Sequence, residues 1–189
     1  LIIEFLIRKF LNNKKINIFY IDIGCNHPKY INNTYHFYKK GKKGICIDPL
    51  NFDKLYKKLR PKDIFINKPV TLNNKKINFY KFDYLNYIKK NNVVYKQYGA
   101  STTNFDKYKI YKKKFNLISK NKINSLPTSE IKVMLKGQSI VPLLSIDVEG
   151  NEYLILKSFL KLNKKFGVIC VEDKNINLVN IKYSKIFKL

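Results

Sequence analysis

The order of strand and helix patterns along this 189-residue chain predicts an α/β protein with a mostly parallel sheet flanked by helices. Short apolar runs rich in β-branched residues alternate with segments of helical periodicity, and the runs end at Gly, Pro or acidic residues. Strand–helix–strand series of this kind build parallel sheets, because each crossover helix carries the chain back to the end of the sheet where the previous strand began. The length fits one domain, residues 1–189.

The first half of the chain has the pattern of a βαβαβ series behind an N-terminal segment. We expect an amphipathic helix within residues 1–16, resting on the domain. The series that follows predicts strands at 17–25, 44–50 and 63–70, with helices at 31–40 and 51–59. On the second of these helices, the spacing predicts one inward face made of Phe52, Leu55, Tyr56 and Leu59.

The second half alternates less regularly. A half-exposed strand is predicted at 76–82, whereas 84–136 is lysine- and tyrosine-rich and predicts loops and short elements that cover one end of the sheet. We expect this variable region to border the pocket of an acceptor substrate. Its tyrosines are expected mostly to pack against neighbouring side chains: Tyr95, Tyr98, Tyr108 and Tyr111. The regular pattern returns with strands at 142–148 and 166–171 around a helix at 151–160, whose predicted inward residues are Tyr153, Leu154, Leu156 and Leu160.

The charge balance is strongly basic, with 38 Lys and Arg against 13 Asp and Glu and a formal net charge of +25. Arg8 and Arg60 are the only arginines, although arginine is the residue that recognises phosphates and guanine edges best. The lysines accompany abundant Asn, Ile, Tyr and Phe, a set typical of A/T-rich coding. This pattern favours a solvated lysine surface over a dedicated nucleic-acid face, and non-specific binding of polyanions stays open.

The cysteines and the hydropathy pattern indicate a reduced, cytoplasmic protein without a membrane span. Cys25, Cys46 and Cys170 lie in apolar runs without metal-ligand spacing, which favours small buried side chains. The apolar run at 1–10 is far shorter than the ~20 residues of a membrane span and lacks a signal-peptide cleavage site. No Cys/His cluster suits zinc, so we expect no metal; a magnesium ion at Asp147 and Glu149 stays open, as does the oligomeric state.

Polar residues follow four of the predicted strands where each strand ends. Because ligands bind beyond the carboxyl ends of parallel strands, these residues are candidates for one site. The chain has no GxGxxG fingerprint and no GxxxxGK[ST] loop, which disfavours dinucleotides and nucleoside triphosphates. The candidates are Asp22, Gly24, Asn26 and His27, then Asp48, then Asp147 and Glu149, then Glu172 and Asp173.

The spacing of Asp22, Gly24 and Asp48 suits a nucleoside without a pyrophosphate. A glycine lets a ligand approach the backbone closely, and an acidic residue at the end of the next strand can accept hydrogen bonds from ribose hydroxyls. The alternative is structural: Gly24 would serve a tight turn, and Asp48 would cap the helix that begins near Asn51. His27 lies in the same turn, where hydrogen bonding within the loop is favoured over a role as general base.

Four segments resemble the FkbM-type methyltransferases, which depend on S-adenosylmethionine. They are YIDIGCNHPKYINNTYHFYKKGKKGICIDP, DIFINKPV, LLSIDVEGNEYLILKS and GVICVED, and the resemblance extends from about Asn17 onwards, loosest between Tyr84 and Lys136. It implies a Rossmann-like class I methyltransferase fold. It also implies cofactor contacts from the turn of Asp22, Gly24, Asn26 and His27, ribose contacts from Asp48, adenine-side contacts near Asn67, and Asp147 and Glu149 beside the transferable methyl.

The resemblance implies an O-methyltransferase that acts on a hydroxyl of a saccharide or another small metabolite. We expect Asp147 to be the first choice for taking the proton of that hydroxyl and Glu149 the second. Glu149 has an equal alternative as a carboxylate stabilised by the N-terminus of the following helix. Two other functions stay open: a nucleic-acid methyltransferase, favoured only by charge, and a catalytically silent binding module.

The end of the chain carries one further expectation. Methyltransferases of this class finish with an antiparallel hairpin, whereas only a helix is predicted after the last strand, at 176–187. We therefore expect a chain truncated before the hairpin, with the strand at 166–171 exposed at the edge of the sheet.

Overall fold

A computed structural model of the chain describes residues 4–7, 17–73, 75–90, 93–97 and 100–172. The strands are β1 (Tyr20–Ile23), β2 (Gly44–Ile47), β3 (Ile64–Ile66), β4 (Val70–Thr71), β5 (Lys76–Lys90), β6 (Val93–Gln97), β7 (Asn116–Asn124), β8 (Leu126–Pro127), β9 (Ile140–Ile146) and β10 (Lys165–Val171). The helices are α1 (Tyr35–Lys39), α2 (Asp53–Leu59), α3 (Phe105–Lys112), α4 (Thr128–Met134) and α5 (Glu152–Leu160).

The central sheet has five strands in the order β10-β9-β1-β2-β3, and every neighbouring pair is parallel. This confirms an α/β protein with a parallel central sheet, an arrangement compatible with a Rossmann-like fold. The predicted strands at 17–25, 44–50, 142–148 and 166–171 all form, each within about three residues of its predicted bounds.

Alternation along the strands divides the core into two layers. Ile21 and Ile23 of β1 face the layer under α4 and α5, where they pack with Ile155 and Phe159. Tyr20 faces the opposite layer under α1 and α2, together with Phe37, Cys46 and Tyr56. Helices therefore cover both faces of the sheet. None of the three cysteines is in a disulfide, and Cys25 and Cys46 are buried.

The inward face of α5 differs from the prediction. Tyr153 and Leu154 are 45% and 49% exposed, whereas Ile155, Leu156 and Phe159 are buried. The predicted set combined residues from different sides of the helix, whereas the buried face has the i, i+3, i+4, i+7 spacing of one side: Glu152, Ile155, Leu156 and Phe159. The carboxylate of Glu152, at the start of this face, accepts hydrogen bonds from the backbone N–H of Gly150 at 2.8 and 2.9 Å. On α2, likewise, Tyr56 is buried and Leu55 is exposed.

The prediction for 84–136 is correct for its short elements, which include α3, β8 and α4, and wrong in leaving out an antiparallel sheet. β5 extends to Lys90 and pairs with β6 and β7 in a separate antiparallel sheet, order β6-β5-β7. β7 is exposed along most of its length, so its sequence lacks the apolar–polar alternation that marks a half-buried strand. The tyrosines of α3 pack as expected: the ring of Tyr108 stacks on Tyr80, with centroids 4.1 Å apart.

The two ends of the chain are described only in part. Residues 4–7 are helical, and Ile7 is buried against the layer of α1 and α2, while the Glu4 carboxylate pairs with Lys40 at 2.7 Å. The helix predicted at 176–187 lies outside the described residues. Within the described ranges, no helix is both long and apolar enough to cross a membrane.

Candidate functional site

A cavity of about 560 Å³ opens at the carboxyl ends of β1, β2 and β9. Its size falls within the range of roughly 300–1,000 Å³ that is typical of small-molecule sites. Six of the eight residues predicted for the site line it, namely Asp22, Gly24, Asn26, Asp48, Asp147 and Glu149, together with Glu172 from the end of β10. His27 and Asn67 lie outside the lining, in the turns that support it.

Gly24 joins the ends of three strands. Its φ is +77°, and a Cβ at this position would overlap the carbonyl oxygen of Asp147. Its N–H donates to the carbonyl of Ile47 at 2.8 Å, while the N–H of Asp147 donates to the carbonyl of Ile23 at 2.8 Å. A glycine is therefore required at this position because the end of β9 approaches its backbone closely. It brings Asp147 directly beside the turn of Gly24.

Asp48 fixes the same turn from the neighbouring strand. Its two carboxylate oxygens accept hydrogen bonds from the backbone N–H groups of Asn26 and Leu50, both at 2.8 Å. It does not cap α2, whose N-cap residue is Phe52. Burial raises the pKa of Asp48 to about 6. The side-chain amide of Asn67 donates to the carbonyls of Asp48 and Leu50, at 3.0 and 2.6 Å, so Asn67 shapes this wall from behind.

Two polar atoms of the cavity lining are buried without a partner. Within the part of the chain that the structure describes, Asn26 Oδ1 and Ser101 Oγ make no hydrogen bond, although both atoms are inaccessible to solvent. Asn26 also has a φ of +48°. Unsatisfied buried polar atoms are rare in native proteins, and a bound ligand is one of the ordinary explanations. Oδ1 is an acceptor, so it suits a donor such as a hydroxyl or an ammonium group.

His27 supports the turn. Its Nδ1 accepts hydrogen bonds from the N–H groups of Lys29 and Tyr30, both at 3.1 Å, and its ring packs on Phe52. Burial, and then the charge of Lys29, lower its pKa, which favours the neutral imidazole that can accept these bonds. This geometry corresponds to the loop role favoured on the sequence.

A fully buried arginine holds the floor of the site. Thr34 Oγ1 donates to Asp22 Oδ2 at 2.7 Å and accepts from Arg60 Nη2 at 3.0 Å. Arg60 also pairs with Asp63 at 2.6 Å and donates to Asn32 Oδ1 at 2.8 Å. Burial raises the pKa of Asp22. Arg60 was not predicted as a supporting residue. An arginine in a chain that otherwise uses lysine was the one feature of the sequence that could have indicated a special role.

Three carboxylates form an acidic wall across the cavity. One side-chain oxygen each of Asp147, Glu149 and Glu172 lies within 4.8 Å of the others. Glu172 reaches this position because it follows β10, which pairs with β9. The N–H of Glu172 extends this pairing by donating to the carbonyl of Ile146 at 3.0 Å. Burial and then the neighbouring Glu172 raise the pKa of Asp147 to about 8. Such a wall can retain a proton at neutral pH, and its oxygens are also of the kind that Mg²⁺ or Ca²⁺ prefers.

Glu149 is held by the region that follows β6. The hydroxyl of Tyr111 donates a hydrogen bond to Glu149 Oε2, and Thr102 Oγ1 donates to the Glu149 carbonyl at 2.7 Å. Asn104 donates to the carbonyl of Gly150 at 2.8 Å. The helix-terminus alternative for Glu149 belongs instead to Glu152, the first residue of α5. The segment after β6 and helix α3 are thus connected to the acidic wall through side chains of Thr102, Asn104 and Tyr111.

Comparisons with known proteins gave no match: no family model, no curated protein and no solved structure was similar to this chain.

Proposed function

We propose that this chain is an S-adenosylmethionine-dependent O-methyltransferase of the FkbM type, acting on a hydroxyl of a saccharide or another small metabolite. The observation that carries the proposal is one cavity that joins the Gly24 turn, the carboxylate of Asp48 and the acidic wall around Asp147. A nucleoside site and a proton acceptor are the two parts that such a reaction needs. The acceptor class rests on the sequence resemblance alone.

The residues of the turn fit a nucleoside with an amino-acid tail. Asp48 uses each carboxylate oxygen once, for Asn26 and Leu50, so lone pairs remain for two ribose hydroxyls. Asn26 Oδ1 is a buried acceptor that ribose or the α-ammonium group of the cofactor would satisfy. Gly24 lines the same cavity, and its missing Cβ accommodates the backbone of Asp147 at the end of β9.

The acidic wall supplies the proton chemistry. S-adenosylmethionine, when bound, supplies an electrophilic methyl group. Asp147 accepts the proton of the acceptor hydroxyl, and its pKa of about 8 makes it a stronger base than an ordinary carboxylate once it is ionised. Glu149, fixed by Tyr111, orients the hydroxyl. The region from Ser101 to Phe115 forms the part of the cavity where the acceptor is expected.

A transfer assay tests this proposal. The protein is incubated with S-adenosylmethionine carrying a labelled methyl group and with saccharides, small alcohols or oligonucleotides. We expect label in a saccharide or small-alcohol fraction, and Asp147→Asn should remove most of this turnover while changing S-adenosylhomocysteine affinity less than threefold, a difference of under ~0.7 kcal/mol. Label only in oligonucleotides would favour the nucleic-acid alternative. Equal losses of turnover and affinity in Asp147→Asn would make Asp147 a binding residue.

A further inference from the structure

Ile31 is a strained apolar residue at the opening of the cavity. It lines the cavity while its side chain is 68% exposed, and its φ is +46°. A β-branched residue in the left-handed region is a genuine outlier, because its Cβ substituents crowd the backbone there. Such strain persists only where the surrounding structure imposes it, and it concentrates at ligand-binding sites.

The residue that follows Ile31 is held by four side-chain hydrogen bonds. Asn32 Oδ1 accepts from the N–H groups of Thr34 and Tyr35, at 3.0 and 2.8 Å, and from Arg60 Nη1 at 2.8 Å. Its Nδ2 donates to the carbonyl of Cys25 at 2.8 Å. The strained backbone of Ile31 is therefore next to a residue that is tied to the network of the buried arginine.

The same turn is attached near the acidic wall. Asn33, which also lines the cavity, donates through Nδ2 to Ser145 Oγ at 3.0 Å, and Ser145 lies two residues before Asp147. The turn therefore spans from the end of β1 to the end of β9. Through Asn33, the turn that carries Ile31 is attached to β9, the strand that Asp147 follows and beside which the reacting methyl group is expected.

We propose that Ile31 is a specificity-determining residue that covers the methionine end of the bound cofactor. The inference rests on the proposed function. An isoleucine that is largely exposed in the free protein gains free energy when a ligand covers it, and its methyl groups shield the reacting methyl from water. The backbone strain is what directs this apolar side chain over the cavity.

A calorimetric test with two ligands distinguishes contacts to the methionine end of the cofactor from contacts to its nucleoside end. S-adenosylhomocysteine has the amino-acid tail, and 5′-methylthioadenosine has the same nucleoside without it. The test variant is Ile31→Asn, since Asn tolerates the left-handed conformation but removes the apolar cover. Ile31→Val keeps both the cover and the strain. Val133→Asn makes a comparable change at a residue of α4 that is 72% exposed and outside the cavity lining.

The inference has a distinctive expected pattern. Ile31→Asn should bind S-adenosylhomocysteine about tenfold more weakly and methylthioadenosine as wild type does, while its melting temperature rises by about 2–4 °C. Ile31→Val and Val133→Asn should bind both ligands as wild type does. A defect in folding cannot give this pattern, because it would lower the melting temperature together with the affinity.

Other outcomes would overturn the inference in distinguishable ways. Unchanged S-adenosylhomocysteine affinity in Ile31→Asn would show that Ile31 does not cover the ligand. An equal loss for both ligands would place it over the nucleoside and refute the assignment to the methionine end. If the wild-type protein bound neither ligand, the proposed function itself would fail, and the inference with it.

Discussion

Replacing Arg60 with methionine is expected to destabilise this protein severely. The Arg60 side chain is completely buried, and its Nε lies 2.6 Å from Oδ2 of Asp63, whose side chain is equally buried. Methionine can replace the aliphatic stem of arginine but carries no charge, so the Asp63 carboxylate would remain in the interior without its cation. Breaking a buried ion pair from one side costs about 3–5 kcal/mol, a large part of the roughly 5–15 kcal/mol that stabilises a typical domain.

Arg60→Lys should have a smaller effect. Lysine keeps the positive charge for Asp63 but cannot also reach Asn32 Oδ1, Thr34 Oγ1 and the Tyr20 hydroxyl, which lie 2.8, 3.0 and 3.1 Å from the guanidinium. Each of these hydrogen bonds that lysine does not replace costs about 0.5–1.5 kcal/mol. We therefore expect an intermediate loss and weaker S-adenosylhomocysteine binding, because these groups build the turn of the site.

Urea unfolding monitored by circular dichroism measures these differences. Lys58→Met is the matched control, since it removes a positive charge from an exposed position of α2, the helix after which Arg60 is the C-cap residue. The double variant Arg60→Met with Asp63→Asn should recover about half of the lost stability, because it removes the uncompensated charge. An Arg60→Met protein as stable as Lys58→Met, within about 1 kcal/mol, would refute the reasoning about the buried arginine.

Three further outcomes are expected. Asp48→Ala should bind S-adenosylhomocysteine more than ~10-fold more weakly by calorimetry, and unchanged affinity would remove Asp48 from the ribose site. Gly24→Ala should unfold at far lower urea than Gly41→Ala, since both have φ near +77° but only at Gly24 would a Cβ overlap backbone. Because the pKa of Asp147 is raised from 3.8 to about 8, wild type should lose stability relative to Asp147→Asn as pH rises from 4 to 8 and not beyond; a pH-independent difference would contradict this shift.

The parallel sheet could be predicted because its central strands β1, β2 and β9 are buried on both faces. Runs such as Gly44–Ile47 and Ile140–Ile146 are almost entirely apolar, and neither depends on a distant contact to be recognised. The antiparallel sheet could not, because Asn116–Asn124 is exposed along most of its length and reads as a polar loop. The inward face of α5 was assigned wrongly, although the helical spacing of Ile155, Leu156 and Phe159 marks it in the sequence.

The site was predictable to the extent that it lies on strand ends. Asp22, Asp48 and Asp147 meet because carboxyl ends of neighbouring parallel strands share one edge of the sheet. The sequence shows that Glu172 follows the last strand, but the position of its carboxylate beside Asp147 depends on the strand order. Tyr111 could not be assigned to Glu149, because that contact joins two segments whose packing the sequence pattern does not specify.

Titration calorimetry of the wild-type chain with S-adenosylmethionine, S-adenosylhomocysteine and NAD tests the central claim most directly. The turn of Gly24, the carboxylate of Asp48 and the unpartnered Asn26 Oδ1 suit a nucleoside with an amino-acid tail, and the chain lacks the glycine-rich fingerprint for a pyrophosphate. We expect one molecule of S-adenosylmethionine or S-adenosylhomocysteine to bind per chain and NAD to give no heat of binding. Saturable binding of NAD, or no binding of either sulfur nucleoside, would contradict the assignment of this cavity to a methyl donor.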